Sequence, residues 1–512
     1  MDVESTSHND SFFSIPMVLI CTTIIILTLF WIRRRSQSPS ANIPPGPKPW
    51  PILGFLPDAI RMRRQDGFAL HQMHNWLGKN FGPVSTTYIF GIRVVVVNGY
   101  KAVNELLNRH DLNARSSHGT METQNGVPPI HQTGILRSSG DLWKELRKFS
   151  LTTLRGFGVG KRSFEEHIAE ESKYLLEELA STNGSPYDPT VLLCNGVSNV
   201  ICSVVFGKRH DYSEQKYQYF VHMIDEKIAN PESLLAITAF PILGKFPFGP
   251  TKKALKQISL LRDYYKEMVD EHVKTFDPDN PRDFIDVYLN EISLRGQDTL
   301  QDKLFADNIL AVLDDFFLAG TETTSTTLRW ALLYMMNYPK IQTKIQQEID
   351  TVVGRDRLPK LSDKVDLPYV EAVLHEIQRH ASIIHTTGPR YVPEDTTFEG
   401  YDIPKGTFLI PNLYSTTRDP SIWQDPDDFY PERFLDDNGC VNKPKQLMVF
   451  GSGRRVCLGE QLARMELYII FTHLLHRFTF KKPDESTILD LKPKVTTVMA
   501  PKSYELCAVE RD

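Results

Sequence analysis

The sequence predicts a mainly α-helical protein with a small β portion, preceded by a single transmembrane helix. Three observations predict this fold class. Long stretches with apolar residues at helical spacing dominate the chain, at 165 to 180, 253 to 274 and 302 to 337. Strand-like composition is confined to short segments, RVVVVNG at 93 to 99 and the region from 401 to 412 around an IPKG turn. An uncharged apolar run stands near the N-terminus, at 12 to 32.

The composition is that of a folded protein with a sizeable core. The 512 residues are 41% hydrophobic and 24% charged, which is ordinary for a globular chain. The formal net charge of -5 provides no basic field and argues against nucleic acid as a partner. The six cysteines are scattered without CxxC pairs, which argues against both a disulfide framework and a zinc site.

The apolar run at 12 to 32 predicts a membrane anchor, because its length is enough for a helix to cross about 30 Å of hydrocarbon. Three arginines follow it directly and acidic residues precede it, so the positive-inside bias places the rest of the chain in the cytosol. A cleaved signal peptide is the alternative, but its apolar region would be shorter and its positive charges would come first. We therefore assign residues 1–35 to an anchor with a basic stop.

A proline-rich segment follows the anchor. Five prolines between 44 and 51 fix φ and exclude a helix, so residues 36–54 are predicted to form a stiff hinge. A ligand for an adaptor domain is the alternative, which the position directly after a membrane stop disfavours. Residues 55–512 are then one catalytic domain.

The stretch FGSGRRVCLG, at 450 to 459, surrounds one cysteine with glycines and arginines. A lone cysteine is most often a small buried hydrophobe. Here Gly453 and its neighbours allow a close backbone approach, and a predicted helix starts just after Cys457, where free amides lower a thiol pKa. A thiolate can be a nucleophile or a metal ligand, but no partner base or second cysteine accompanies it. A single axial ligand to haem iron fits best.

The loop resembles the haem-thiolate signature of the cytochrome P450 monooxygenases at Phe450, Gly453, Arg455, Cys457 and Gly459. The resemblance implies a haem b cofactor, with Cys457 as the iron ligand and Arg455 paired with a haem propionate. A thiolate ligand pushes electron density onto the iron and favours O–O cleavage.

A second motif interrupts an apolar helical stretch at 307 to 336 with the polar sequence AGTETT, at 319 to 324. A solvent-facing patch is the alternative, but the flanking residues are too apolar for exposure. A mid-helix threonine can bond to the carbonyl four residues earlier, here Thr323 to Ala319, which loosens the helix. The resemblance implies that Glu322 and Thr323 are the acid–alcohol pair that delivers protons to bound dioxygen.

The sequence HEIQR places Glu376 and Arg379 at i and i+3, a spacing that is also common in surface ion pairs. About fifty residues later FYPERF contains Arg433, which resembles the third member of the family's Glu-Arg-Arg network. The resemblance implies a structural role beneath the haem loop. Replacing either Glu376 or Arg379 is expected to impair haem incorporation.

The segment DLWKELRKFSLTTLR resembles the family's propionate-binding helix, with Trp143 and Arg147 at i and i+4 on one face. A rim tryptophan beside a solvated arginine is the alternative. Arg390 aligns with another propionate-pairing position, at which microsomal relatives often have histidine. The segment STTRDP departs from close relatives by having Thr417 in place of their frequent histidine.

The resemblance also outlines a substrate pocket, lined by the segment from 115 to 136, by the turn from 383 to 387 with Ile384, by Phe316 and Ala319 on the distal helix, and by Thr497 and Val498. Apolar side chains here indicate an apolar ligand, although each would also be normal in a core. The apolar segment at 234 to 248 is equally consistent with membrane contact and with a buried helix end.

The order of motifs is that of animal microsomal enzymes, the branch that handles drugs, fatty acids and steroids. The resemblance therefore implies a monooxygenase of the endoplasmic reticulum membrane that receives electrons from NADPH-cytochrome P450 reductase, and allows cytochrome b-five as a second donor. Exposed cations could dock the reductase: Lys144, Lys148, Lys161, Arg162 and Arg454. A haem-thiolate isomerase or dehydratase and a non-catalytic haem sensor are the alternative functions. The first tends to lack the acid–alcohol pair, and the second needs neither that pair nor a reductase.

Overall fold

The computed structural model describes residues 42–65, 67–115, 134–229, 249–296, 298–495 and 498–511. The predicted anchor helix at 12 to 32, the segment at 234 to 248 and Thr497 lie outside these residues. Within them, no helix combines the length and the apolar character that a membrane crossing requires.

Helices form most of the described chain. The N-terminal helices are α1 (Leu56–Gln65), α2 (Leu70–Phe81), α3 (Tyr100–Asn108), the short α4 (Gly134–Arg137), α5 (Gly140–Gly156), α6 (Glu165–Ser181), α7 (Thr190–Val205) and α8 (Gln215–Ala229). The later helices are α9 (Gly249–Thr275), α10 (Phe284–Arg295), α11 (Leu300–Asp307), α12 (Ile309–Asn337), α13 (Pro339–Val352), α14 (Pro368–Ala381), α15 (Leu413–Thr417) and α16 (Glu460–Arg477). Short 3-10 turns occur at Arg162–Phe164, Leu361–Asp366, Pro431–Phe434 and Gly453–Arg455.

The strands form one four-stranded sheet and several two-stranded pairs. They are β1 (Val84–Ile89), β2 (Ile92–Val97), β3 (Arg390–Tyr391), β4 (Thr396–Phe398), β5 (Tyr401–Ile403), β6 (Phe408–Pro411), β7 (Phe478–Lys481), β8 (Lys494–Val495), β9 (Met499–Ala500) and β10 (Cys507–Glu510). The larger sheet has the order β1-β2-β6-β3, in which β2 and β6 run parallel and the outer pairs run antiparallel. The pairs are β4 with β5, β7 with β10, and β8 with β9.

The predicted fold class, mainly helical with a small β portion, is confirmed over the described residues. The strand expected at 93 to 99 is β2, whose valines are buried on both faces. The region from 401 to 412 holds two strands rather than one, because Gly406 turns the chain with φ +84° and sends β5 and β6 into different sheets.

The stretch expected as one helix from 302 to 337 is two helices, α11 and α12, that meet at Asn308. The Asn308 side chain donates to the Leu304 carbonyl at 2.6 Å and accepts from the Gly134 amide at 2.7 Å. Asparagine commonly competes with the helical backbone for hydrogen bonds in this way. The junction therefore fixes where the long helix α12 begins.

Helix α12 crosses the middle of the molecule and positions the site. It packs against α7, α14 and α16, and almost all of its second half is buried. The main hydrophobic core surrounds it, whereas a separate core lies between the larger sheet and α3. Burial all round a helix predicts a central element of a large domain, as observed here.

The described part of the proline-rich segment lies against the body. The Pro45 carbonyl accepts from the Thr86 amide at 2.8 Å, and Gly54 forms a bridge to Ile89, the last residue of β1. At its start, the Asn42 amide donates to Asp402 at 2.8 Å. Residues 42 to 54 are thus docked on β1 and β5 through hydrogen bonds.

Candidate active site

A cavity of about 470 Å³ lies between α12 and the loop that precedes α16. It brings together sequence-predicted site residues that come from widely separated parts of the chain. Those lining it are Trp143, Arg147, Phe316, Ala319, Glu322, Thr323, Ile384, Arg390, Phe450, Arg455, Cys457 and Gly459. Gly453 lies one residue from the cavity wall at Ser452.

The loop around Cys457 is fixed by its own backbone. The Cys457 amide donates to the Phe450 carbonyl at 2.9 Å, which closes the loop at its base. Gly453 has φ +70°, and a Cβ there would collide with the Leu107 carbonyl oxygen, so no other residue fits. Gly459 has φ -91°, not the positive φ that was expected, and a Cβ there would meet no described protein atom within 4 Å, so the fold itself does not require glycine at this position.

Cys457 lines the cavity, and its side chain is accessible from there. Burial raises the pKa of its thiol, while the Gly459 amide and Arg147 act in the opposite direction. Burial therefore outweighs the predicted lowering of this pKa by the helix terminus. A coordinated metal ion deprotonates a thiol outright, so a bound metal ion would supply the thiolate form.

Four arginines converge on one side of the cavity: Arg115, Arg147, Arg390 and Arg455. Arg455 is held by backbone carbonyls, donating to Ser138 at 2.7 Å and to Ile135 at 3.2 Å. Its guanidinium also lies over the Trp143 ring, 3.9 Å from the centroid. Arg147 donates to the Val456 carbonyl at 2.7 Å, which ties α5 to the cysteine loop.

This cluster has the electrostatics of an anion site. Burial, with the positive charges of Arg390, Arg147 and Arg454 acting in the same direction, lowers the pKa of Arg455 to about 9. Burial also lowers the pKa of Arg390 to about 10 and that of Arg115 well below its usual value. Among the described residues, no carboxylate forms an ion pair with Arg115, Arg147, Arg390 or Arg455. Buried charges normally have partners, so the cluster indicates an anionic ligand.

Buried hydrogen-bond donors without a protein partner also indicate an anionic ligand. Arg115 Nε, Arg390 Nε and Trp143 Nε1 are buried and make no hydrogen bond within the described chain. Guanidinium and indole N–H groups suit carboxylates. These donors therefore suit a ligand with carboxylate groups, and the haem that the sequence resemblance implies would be held by the arginines at its propionates and by the Cys457 sulfur at its iron.

The polar interruption of α12 lines the same cavity as Cys457. Thr323 Oγ1 donates to the Ala319 carbonyl at 2.7 Å, which is the predicted bond. Glu322 is buried and accepts from Thr326 Oγ1 at 3.0 Å. Burial raises the pKa of Glu322 to about 7, with a smaller contribution in the same direction from Asp225. This carboxyl can thus donate and accept a proton near neutral pH.

Asp315 anchors one edge of the pocket. Its carboxylate accepts from the amides of Ile135 at 2.6 Å and Leu136 at 2.9 Å, at the end of the segment predicted to line the pocket. Burial raises its pKa to about 7. The side chain therefore fixes the position of the 134 to 137 helix against α12.

The remaining wall is apolar. Phe316 contacts Phe284 edge to face, with ring centroids 4.8 Å apart, and Ile383 and Ile384 line the wall from the turn after α14. The Met499 amide donates to the Ile383 carbonyl at 2.8 Å, which brings the neighbouring Val498 into the lining. The site thus combines a polar end with apolar walls.

Glu376, Arg379 and Arg433 meet away from the cavity. Arg379 binds Glu376 through two bonds of 2.7 and 2.8 Å, and Arg433 donates to the same carboxylate at 3.2 Å. Glu376 and Arg379 are fully buried. Backbone carbonyls of Thr417, Pro426 and Asp428 accept the remaining Arg379 donors. The carboxylate also accepts from the Tyr430 amide at 2.7 Å, so this buried charge network is well satisfied.

Thr417 has its own hydrogen-bond partners. Its hydroxyl bonds to Ser382 Oγ at 2.5 Å and donates to the Tyr414 carbonyl at 3.0 Å. A threonine thus satisfies this buried position by local hydrogen bonds.

The sequence analysis did not predict that Asp315 and Glu466 belong to the site. It predicted that Arg115 lines the substrate pocket, whereas the structure places Arg115 in the arginine cluster. Asp315 and Glu466 look like surface acids of helices, and Arg115 was expected only as one end of the substrate segment. Asp315 stands directly after Asp314 in an apolar stretch, and Glu466 interrupts the apolar run of α16. An acid within an apolar run was the available signal in both cases.

Comparison with known proteins identifies the family. Residues 44 to 508 match the model of the cytochrome P450 family. The chain is 38% identical over 507 residues to cytochrome P450 2C23 of Rattus norvegicus, an alignment that covers 98% of this chain and 99% of that protein. It is 40% identical over 508 residues to cytochrome P450 2C8 of Homo sapiens, with 96% and 99% covered. It is 39% identical over 497 residues to cytochrome P450 2J2 of Homo sapiens, with 96% and 95% covered. The chain therefore belongs to the cytochrome P450 family and is an oxidoreductase, a monooxygenase whose haem iron is bound through a cysteine thiolate.

Proposed function

We propose that this monooxygenase hydroxylates or epoxidises a lipophilic organic substrate with one atom of dioxygen, using electrons that a separate NADPH-dependent reductase supplies. The substrate class is a fatty acid, a steroid or a foreign compound. The proposal rests on one observation. A single cavity joins Cys457, the arginine cluster and the Glu322–Thr323 pair to apolar walls.

Cys457 is the proposed iron ligand within this frame. Arg115, Arg147, Arg390, Arg455 and Trp143 would hold the propionates through their inward-facing donors. Phe450, Gly453 and Gly459 shape the loop that presents the sulfur. When bound, the haem supplies the redox and oxygen-activating chemistry, which a thiolate ligand favours.

Glu322 and Thr323 are the proposed catalytic residues of the protein itself. Glu322 is buried with a pKa raised to about 7, so a sizeable fraction of the side chain carries a proton at neutral pH. Thr323 already bonds to the Ala319 carbonyl, so its hydroxyl oxygen can accept a further hydrogen bond from the cavity. Together they would pass protons into the site and limit wasteful release of reduced oxygen.

Apolar side chains would orient the substrate. Phe316, Ala319, Ile384 and Val498 face the cavity, and Thr497 is the neighbour of Val498 in sequence. Burial of apolar substrate surface contributes roughly 25 cal/mol per Å² and favours lipophilic molecules. The apolar walls exclude water from the end where the acid–alcohol pair lies.

The network of Glu376, Arg379 and Arg433 is assigned to folding. It fixes α14 against the 3-10 turn Pro431–Phe434, and does not contact the cavity. The chain is further proposed to be a single-pass protein of the endoplasmic reticulum, with an anchor at 1–35 and a cytosolic catalytic domain at 55–512. The segment at 36–54, predicted as a hinge, would connect them, and its described residues, 42 to 54, are docked on the catalytic domain. The apolar segment at 234 to 248 would contact lipid.

The proposed reductase-binding face consists of Lys144, Lys148, Lys161, Arg162 and Arg454, all of which are exposed. Lys144 and Lys148 stand on α5, the helix that carries Arg147 to the cysteine loop. Such a basic surface suits an acidic partner and would act mainly on the association rate. Cytochrome b-five could use the same face.

The test is NADPH-dependent oxygen uptake and product formation by the haem-loaded protein with purified reductase and a panel of lipophilic compounds. Product that contains one oxygen atom from labelled dioxygen supports the proposal. Rearrangement of added peroxides without NADPH or reductase would instead indicate an isomerase. Haem binding without oxygen uptake or rearrangement would indicate a sensor.

A charge-reversal pair tests the reductase face. Lys148→Glu should slow reduction of the haem by the reductase and leave reduction by dithionite unchanged, because only docking is affected. Lys303→Glu, an exposed lysine on α11, provides the matched control. Equal reductase-driven rates in both variants and the wild type would contradict the assignment of this face.

A further inference from the structure

The junction between α9 and α10 contains a buried histidine that the proposed function does not use. His272 lies in the last turn of α9, and 8% of it is exposed. It faces Asp283, the buried residue whose side chain caps the N-terminus of α10. A buried pair of ionisable groups is costly unless its hydrogen bonds are well arranged. The arrangement of these bonds therefore indicates which charges the pair carries.

Both ring nitrogens of His272 face an acceptor. Nδ1 lies 2.7 Å from the Met268 carbonyl oxygen, and Nε2 lies 2.8 Å from Asp283 Oδ2. A carbonyl and an ionised carboxylate only accept hydrogen bonds, whereas a neutral imidazole has a single N–H to donate. The ring must carry both protons for the two bonds to form together. The geometry thus indicates a positively charged His272.

Neighbouring charges balance this cation. Burial lowers the pKa of His272, but the hydrogen bonds to Asp283 and Met268, with the charges of Asp283 and Asp286, outweigh burial and raise it above its usual value. Arg282 in turn binds Asp286 through bonds of 2.6 and 2.9 Å. Two cations and two anions therefore meet at the start of α10.

The other elements that pack on α9 are α8 and α12. Their charged side chains near α9 form ion pairs of their own: Lys216 with Glu267, Glu226 with Lys253 and Lys227 with Asp314. In the segment after α7, a Cβ at Gly207 would lie 2.8 Å from Asp283 Oδ2, so the carboxylate is closely packed on that side. Asp283 and Asp286 are thus the charges that hold the proton on His272.

Proximity alone would also suit a metal ion, because ligand atoms of His272, Asp283 and Asp286 lie within 4.8 Å of one another. The hydrogen bonds argue against one. Asp283 Oδ1 accepts from the Asp286 amide at 3.1 Å, and both Asp286 oxygens accept from Arg282. A doubly protonated ring has no lone pair to offer a metal ion. Zinc binding is therefore kept as an outcome of the test.

Phe284 joins this junction to the wall of the cavity. It follows Asp283 directly as the first residue of α10 and is fully buried. Its ring contacts Phe316 edge to face, with centroids 4.8 Å apart, and Phe149 on α5 at 5.8 Å. Phe316 lines the cavity. Because protein interiors are closely packed and transmit strain, a shift at the start of α10 would reach the cavity wall.

We propose that protonated His272 holds the N-terminus of α10 on α9, and that loss of this proton releases the junction and loosens the cavity wall at Phe316. The inference goes beyond the proposed function and does not depend on it. His272 is a positioning residue, since it does not line the cavity. Without the second proton, one ring nitrogen would direct a lone pair at an oxygen, and a buried hydrogen bond would be lost.

The sign of the pH dependence follows from the raised pKa. The unfolded chain has a histidine pKa of about 6.5, so the folded chain binds more protons at a pH between that value and the pKa of the folded state. The stabilisation by His272 is therefore fully present below the unfolded value and is lost as the pH rises through the folded one. Deprotonation at alkaline pH would open the junction.

Exchange of the imidazole C2 proton with deuterium, followed by mass spectrometry of the haem-loaded full-length protein at several pH values, measures the protonation of His272. The midpoint should lie above about 6.5, the value of an unperturbed histidine. Asp283→Asn should lower it, because asparagine still caps a helix but removes the negative charge. His110→Gln, at an exposed position, is the control and should leave it unchanged. A wild-type midpoint at or below that value would overturn the proposal.

Amide hydrogen exchange of the same protein tests the release of α10, whose Val287 amide donates to the Asp283 carbonyl. Beyond the intrinsic effect of pH, exchange at 287 to 292 should rise by up to about 10-fold for each pH unit, because one proton is linked. His272→Lys keeps a cation and should stay protected, whereas His272→Gln should exchange fast at every pH. If the glutamine variant does not fold, the comparison with His272→Lys still decides. Identical profiles in wild type and His272→Lys would contradict the release.

Exchange at 313 to 319 of α12 tests the connection to the cavity wall. It should rise together with that of α10 in the wild type, whereas Phe284→Leu should keep the response of α10 and lose that of α12. A wild-type response confined to α10 would overturn the connection. Added zinc that slows exchange of α10 in the wild type but not in His272→Gln would identify a metal site and overturn the protonated state. Neither measurement uses turnover, so failure of the proposed monooxygenase function would leave both results decisive.

Discussion

Thr323 Oγ1 donates a 2.7 Å hydrogen bond to the carbonyl oxygen of Ala319, one turn earlier in α12. Both residues line the cavity that contains Cys457. The bond fixes the threonine rotamer and leaves the hydroxyl oxygen free to accept from the cavity. This geometry is the basis for assigning proton delivery to Thr323.

Replacing Thr323 with alanine should lower the product formed per NADPH by roughly 10-fold or more, because a positioned proton donor is lost. Thr323→Ser should retain most of the coupling, since it keeps the hydroxyl. Parallel measurement of NADPH consumption, peroxide release and product provides the check. Unchanged coupling in the alanine variant would refute the assignment.

Breaking the buried Glu376 network should prevent stable folding. Glu376→Gln removes the charge that pairs with both Arg379 and Arg433, and breaking a buried pair typically costs about 3–5 kcal/mol. Thermal unfolding and haem content of the purified protein report the loss. Lys502→Met, which removes a half-exposed partner of Asp490, is the control and should change thermal unfolding and haem content little. Similar losses in both variants would contradict the distinction between the buried network and a surface pair.

Arg115→Leu should weaken haem retention. The Nε atom of Arg115 is buried and unpartnered, and its guanidinium lies near Arg390 and Arg455; hydrogen bonds to charged groups contribute about 1.5–3 kcal/mol. Haem transfer to apomyoglobin should therefore be roughly 10-fold faster or more, with Arg115→Lys intermediate. A transfer rate equal to that of the wild type would exclude Arg115 from the propionate site.

Three buried histidines should make the fold sensitive to acid. His71 and His385 stack with ring centroids 5.8 Å apart, and His74 is close to both. Burial lowers the pKa of His71 and of His385 to about 4 and that of His74 to about 3, and for His71 and His74 the other imidazoles of the cluster act in the same direction.

The unfolded chain has a histidine pKa of about 6.5, so between pH 6.5 and 4 it binds more protons than the folded chain does. The stability that the neutral histidines contribute is therefore fully present above pH 6.5 and is lost as the pH falls. Chemical unfolding across this range should show that slope, and His385→Phe should flatten it. An identical slope in the variant would rule out His385 as a source.

Much of the site could be predicted because its motifs are local in sequence. The loop from 450 to 459 closes through a bond between Phe450 and Cys457, and the Thr323 to Ala319 bond lies within one helix turn. Neither depends on distant contacts, so residue type and spacing are enough to predict them.

The remaining features depend on distant contacts. Arg115 belongs to the arginine cluster only because the fold brings it beside Arg390 and Arg455, more than 270 residues away. The Cys457 thiol has a raised pKa because burial outweighs the amide of Gly459, and burial is a tertiary property. Asp315 and Glu466 could not be predicted for the same reason, since a helix pattern does not reveal which acids the neighbouring helices bury.

The most direct test of the account is the carbon monoxide difference spectrum of the dithionite-reduced protein. The account predicts the strongly red-shifted Soret band of a thiolate-ligated haem, lost in Cys457→Ser and kept in Cys440→Ser, which changes an exposed free cysteine. A folded, haem-containing wild-type protein without that band, or a Cys457→Ser variant that keeps it, would contradict the assignment of Cys457 and the site built around it.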